Sequence, residues 1–216
     1  QCSRHAPCVL RLCGQILDRY NDRGMTGMGK VESGTLFKGQ HVVISPTRER
    51  TTVSSITLDS GAEVTVARPG ENVRVKLSKL SNDSSLLKGF VVCADGMPLC
   101  PDVTSFLADM QVMQLLEHKL LMTSGYNCML HVHTIAVECT VDRLLIETNL
   151  RTKVKTREPQ FVKSNALVTV KIDVQRSISI ETFNKMAVLG QFTLRDEGRT
   201  IAIGRITRLL IKKKKK

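Results

Sequence analysis

A period-two alternation of apolar and polar side chains, recurring along the chain, restricts the fold more than any other feature of this sequence. Val73, Val75 and Leu77 alternate with Arg74 and Lys76, and Val168, Val170, Ile172 and Val174 alternate with Thr169, Lys171 and Asp173. Ile178 and Ile180 alternate with Ser177 and Ser179, Phe192 and Leu194 with Thr193 and Arg195, and Ile201 and Ile203 with Ala202. Successive side chains of a strand point to opposite faces, so each stretch predicts a strand with one buried face. Turn pairs separate the stretches: Ser33-Gly34, Lys38-Gly39, Ser60-Gly61, Pro69-Gly70, Lys88-Gly89, Ser124-Gly125 and Glu197-Gly198. No stretch sustains a capped helical period. Many short strands with regular turns predict an all-β chain built as antiparallel barrels or sandwiches.

Between Phe90-Val91-Val92 and Phe106-Leu107, the run from Asp95 to Asp102 holds two prolines and a glycine. Proline cannot donate a ladder bond, so strand continuity ends there. The expected organisation is a first barrel over 9–97, a linker at 98–101 and a second barrel over 102–211. Residues 1–8 lead in and a lysine tail follows at 212–216. A length of about 100 residues suits one small barrel.

With 42% hydrophobic residues the chain is not a disordered one. It has no apolar run of about 18 residues and no leader pattern, so neither a transmembrane helix nor a signal peptide is expected. A start at Gln1 rather than Met suggests a fragment or a processed product. The seven cysteines are odd in number and lack Cys-x-x-Cys spacing, which points to reduced thiols in the cytoplasm. Cys128 and Cys139 lie among apolar residues and read as small core side chains.

Charge is uneven. Residues 1–142 carry 14 basic and 14 acidic residues, whereas 143–216 carry 18 and 6, so the whole excess of +12 lies in the last third. An anionic neighbour, most simply nucleic acid, explains such asymmetry; a solubilising tail with solvated loops explains it equally. Arg151, Lys153, Lys155 and Arg157 alternate with Thr152, Val154 and Thr156. On a strand they line one edge, either against phosphates or as charges that keep an edge unpaired. The few aromatic residues argue against an RNA-stacking platform.

Three motifs invite chemistry. Gly24 to Lys30 fits Gly-x4-Gly-Lys, but Val31 stands where a hydroxyl must hold magnesium, so a strand and hairpin is the better reading. His131 and His133, two apart on an expected strand, share a face, with His118 upstream. No acidic or cysteine partner has metal-ligand spacing, which favours structural or interface histidines. No serine lies in a Gly-x-Ser-x-Gly elbow, and no catalytic set stands out.

At the C-terminal end the run from Gly190 to Gly204, with Arg195-Asp196-Glu197-Gly198 at its centre, resembles the last β-barrel of translational GTPases. Its form is closer to the eukaryotic class II polypeptide chain release factor family than to elongation factor one-alpha. Asp18-Arg19-Tyr20, Gly29 to Gly34 and Lys38-Gly39-Gln40 resemble the opening of that family's middle barrel, and Arg68 to Asn72 its turn. Glu117-His118-Lys119, Gly125-Tyr126-Asn127 and His131 to Thr134 are similar to the first strands of the third domain. Lys155-Thr156-Arg157 and Phe161-Val162-Lys163 match its later hairpin. There are departures. Gln191 stands where the family usually has Arg, Cys13-Gly14-Gln15 replaces a shorter proline-containing entry, Met25 to Met28 is less β-branched, and Thr148-Asn149-Leu150 lacks a Lys-Lys-Ser-Gly turn.

The resemblance implies two consecutive antiparallel β-barrels, with residues 1–8 as a linker from a GTPase domain that this chain lacks. GTP and magnesium would belong to that domain, so this chain is expected to be no enzyme and to hold no cofactor itself. The implied partners are the class I polypeptide chain release factor and the ribosome. The expected partner surface comprises Gln191, Phe192, Thr193, Leu194, Arg195 and Asp196, with His131, His133, Lys119 and Phe161 as weaker candidates. Asp196 and Glu197 beside an outward Arg195 suit a protein better than RNA. The alternative is the C-terminal region of an elongation-factor-like or ribosome-rescue GTPase, contacting tRNA or a rescue factor.

Overall fold

The computed structural model describes residues 11–20, 24–78, 89–149 and 154–211. The lead-in, the lysine tail, Arg151 and Lys153 lie outside them. The chain divides into two units, Gln1–Cys100 and Pro101–Lys216, and strands dominate both.

The first unit comprises β1 (Arg11–Tyr20), β2 (Gly24–Ser33), β3 (Leu36–Phe37), β4 (His41–Ser45), β5 (Glu49–Leu58), β6 (Glu63–Val64), β7 (Val66–Ala67), β8 (Asn72–Leu77) and β9 (Phe90–Ala94). The order β4-β9-β1-β2-β8-β5 closes on itself through β4–β5, while β6 extends β5 and β3 pairs with β7. Closure removes the exposed sheet edges that would otherwise recruit other strands. Val73, Val75 and Leu77 face inward as the alternation requires, packing with Val31, Ile44, Ile56, Phe90 and Val92. The Gly-x4-Gly-Lys stretch is β2 itself, laddered on one side to β1 and on the other to β8. Its backbone is extended and committed to those ladders, so it makes no phosphate cradle, and its residues do not fit a nucleotide site. Gly27 lies beneath the Phe90 ring, where a Cβ would come 3.0 Å from Cζ.

The second unit comprises β10 (Asp102–Val112), β11 (Met122–Thr123), β12 (Tyr126–Val132), β13 (Ile135–Thr148), β14 (Lys155–Arg157), β15 (Phe161–Val162), β16 (Leu167–Ser179), a short α1 (Ala187–Gly190), β17 (Gln191–Asp196) and β18 (Arg199–Leu209). Here β12-β17-β18-β10-β16-β13 forms the ring, closed by β12–β13, with β14 added outside β13 and β11 paired with β15. All the pairings are antiparallel. The core gathers Phe106, Met110, Leu130, Val141, Ile172, Phe192, Leu194 and Ile206. Phe106 and Phe192 meet edge to face, with centroids 5.8 Å apart.

Two readings of the alternation need correction. Ile203 is 46% exposed, while Ala202 is buried next to Ile201. Leu194 pairs with Ala202 but Arg195 pairs with Thr200, so Ile201 is the extra residue of a β-bulge. One inserted residue reverses the faces of everything after it. Ser179, expected outside, is fully buried. Its hydroxyl donates to Asp102 Oδ1 at 2.9 Å, which satisfies it where β16 meets the start of β10.

Candidate functional site

The outer wall of the second unit is built across β13, β12, β17, β18 and β10. Residues directly opposite in an antiparallel ladder share a face. The register therefore sets Ala136, His131, Thr193, Ile203 and Gln111 in one row. Glu138, Met129 and Arg195 form the next row. On the other side, Gln191 stands opposite Arg205, which stands opposite Asp109. This wall brings Gln191, Thr193, Arg195 and His131 together.

Arg195 is exposed, and its Nη2 donates to the Gly198 carbonyl at 2.6 Å. The β17–β18 hairpin supplies that carbonyl because Glu197 and Gly198 both take positive φ, 46° and 78°, as a tight primed turn demands. Arg205 Nη2 lies 3.8 Å from Asp109 Oδ2, and Gln175 bonds to Glu138. Exposed residues on the wall also come from outside the expected set, among them Met129, Ile203 and Glu138. Met129 and Ile203 are its apolar contacts, and Glu138 its carboxylate. Ile203 is outward only because of the bulge, and Met129 and Glu138 join Arg195 only through the register of a different hairpin.

The other expected residues do not share this wall. Phe192 and Leu194, 2% and 0% exposed, face the core and cannot touch a partner directly. His133 lies past the end of β12, in the two-residue link to β13, with φ of 51°, so it does not share a strand face with His131. Its Nδ1 lies 3.3 Å from Thr134 Oγ1. Phe161 is exposed on β15, with Lys163 Nζ 5.9 Å from its ring, and lines a shallow apolar groove with Leu120 and Leu121. Lys155 and Arg157 are exposed on β14, at the strand added outside the ring.

Asp196 is bonded to Lys119 and Tyr126 at the wall's edge. The Asp196 side chain is only 12% exposed. Its Oδ2 accepts from Tyr126 Oη at 2.7 Å and from Lys119 Nζ at 2.9 Å. Burial works against the Asp196 charge, but those two donors outweigh it and hold the carboxyl below its ordinary range. The same bond raises Lys119, and burial followed by Asp196 raises Tyr126. Glu197 turns to His118, with Oε1 3.1 Å from Nε2. Both acidic neighbours of Arg195 are thus engaged with residues other than Arg195, and Glu138 adds a carboxylate in its own row. Among the described residues no group of three or more potential metal ligands comes together.

Two closed six-stranded barrels in tandem are the architecture of the paired barrels of translational GTPases. Residues 105–207, most of the second unit, match the family model described as GTP-eEF1A C-terminal domain-like. About nine tenths of the chain is similar to the C-terminal part of eukaryotic peptide chain release factor GTP-binding subunits. It is 33% identical to that of Kluyveromyces lactis over 90% of this chain and 27% of the relative. With that of Dictyostelium discoideum it shares 33% over 88% and 34% respectively. A crystal structure of sup35 complexed with GDP superposes with a TM-score of 0.80 at 27% identity, covering 93% of this chain and 48% of that one. The chain thus spans about a quarter to a third of the length of these curated relatives.

Proposed function

We propose that this chain is the partner-docking part of a translation termination GTPase, and that the outer wall around Arg195 receives the class I release factor. The observation that carries this reading is the composition of the Glu138–Met129–Arg195 row and its neighbour Ile203. One cation, one carboxylate and two exposed apolar side chains share a continuous patch. A protein surface pairs both signs and covers apolar area, whereas a phosphate backbone is opposed by the carboxylate. The relatives' name, release factor GTP-binding subunit, supports the same reading. In it, GTP and magnesium are handled by a GTPase domain outside this chain, and these barrels contribute docking and delivery to the ribosome rather than turnover. The exposed Lys155 and Arg157 on β14 are the part best suited to ribosomal RNA.

Titration calorimetry separates this from the elongation-factor-like alternative. The chain should bind a class I release factor without nucleotide and bind aminoacyl-tRNA weakly. Tight tRNA binding that falls steeply with salt, with no release factor binding, would reverse the assignment.

A further inference from the structure

Cys128 of β12 and Cys139 of β13 stand directly opposite each other in the ladder, with their sulfurs 3.5 Å apart. Both belong to the inward face, Cys128 at 7% exposure and Cys139 at 2%. The β12–β17 ladder ends at Met129 and Arg195. Next to that end, a cleft of about 370 Å³ is lined by Cys128 and Cys139 together with Asn127, Glu138, Arg195 and Asp196.

We propose that Cys128 and Cys139 form a dithiol modification site, closing to a cross-strand disulfide when hydrogen peroxide enters this cleft. Directly opposite residues of an antiparallel pair have Cβ atoms about 4.5–5.5 Å apart, and a disulfide needs about 3.8 Å. The ladder already holds both residues in register, so closure needs little backbone movement. The cleft admits a molecule the size of peroxide to the more exposed sulfur first.

The chemistry proceeds in two displacements. The Cys128 thiolate attacks one peroxide oxygen and the O–O bond breaks. The departing hydroxide takes up the proton that the Cys128 thiol has given up and leaves as water, and Cys128 becomes a sulfenic acid. The Cys139 sulfur then attacks the Cys128 sulfur. The S–S bond forms, the S–O bond breaks, and a second water leaves carrying the Cys139 proton. The two thiols lose two electrons, which the peroxide gains. Its hydrogen bond to Cys128 and its burial both push the Cys139 thiol up, so it keeps its proton until that second step. The product pins β12, the strand that carries Met129, to β13.

The test treats the full chain with hydrogen peroxide, alkylates the remaining thiols and maps the peptides by mass. Cleavage after Glu138 separates the two cysteines, so they remain joined only through the new bond. The expected result is a Cys128–Cys139 linked species, about 2 Da lighter than the dithiol and reversed by dithiothreitol. It should be lost in Cys139→Val and in Cys128→Ala, either of which suffices if the other fails to fold. Both thiols alkylated at a peroxide dose that oxidises the other cysteines would overturn the proposal. So would separate sulfinic acids, or links to other cysteines in place of this one.

Discussion

Asp196 keeps a negative charge at the edge of a barrel because Tyr126 and Lys119 are fixed against it. Its folded pKa lies below the ordinary carboxyl value, so its contribution is complete above the unfolded value, about 3.9, and is lost as pH falls through the lower folded one. Asp196→Asn should therefore lower the urea midpoint at neutral pH, and the gap to the wild type should shrink as the pH falls below the unfolded carboxyl value of about 3.9. A gap independent of pH would show that the charge contributes nothing. Gly204 marks a second constraint of single-residue size. A Cβ there would lie 2.4 Å from Phe192 Cζ and 2.8 Å from Met110 Cβ. Gly204→Val should cost at least about 1–3 kcal/mol in chemical unfolding, with overpacking as the cause. In the sequence Arg195 was visible as an outward cation, but the separate fates of its acidic neighbours were not. Their partners, Lys119 and His118, come from a segment about 80 positions earlier, and a one-dimensional pattern carries no such pairing.

Among the elements, β18 departs furthest from simple alternation. The bulge at Ile201 buries Ile201 and Ala202 together and turns Ile203 outward. Ile201→Ala should cost about 2–5 kcal/mol and Ile203→Ala no more than about 0.5 kcal/mol, measured by thermal or urea unfolding. Equal costs would place both side chains in the core. The other strands follow the alternation because one strict period and one buried face suffice to specify them, as β8 and the body of β16 show. The turns were equally readable. Gly34, Gly39, Gly61, Gly70, Gly89, Gly125 and Gly198 all take positive φ, the conformation glycine alone adopts without a Cβ penalty. A bulge leaves no comparable mark, since any residue can be the extra one. The facing of Cys128 and Cys139 likewise depends on the register of the β12–β13 hairpin.

At the scale of the whole molecule, each unit closes its own ring around its own core. The second unit, expressed as residues 101–211, should keep its strand-rich circular dichroism and unfold cooperatively. A fragment that is unstructured alone would show that it depends on the first unit. The partner surface proposed here lies wholly within that second ring, on the four neighbouring strands β13, β12, β17 and β18 and the register that aligns them. The most direct trial is the affinity of the chain for a class I release factor, measured by calorimetry for the wild type and for Arg195→Glu. Loss of a central arginine anchor should cost about 2 kcal/mol or more, roughly a thirtyfold weakening, with the circular dichroism unchanged. Equal affinity in a folded Arg195→Glu variant would move the docking surface elsewhere.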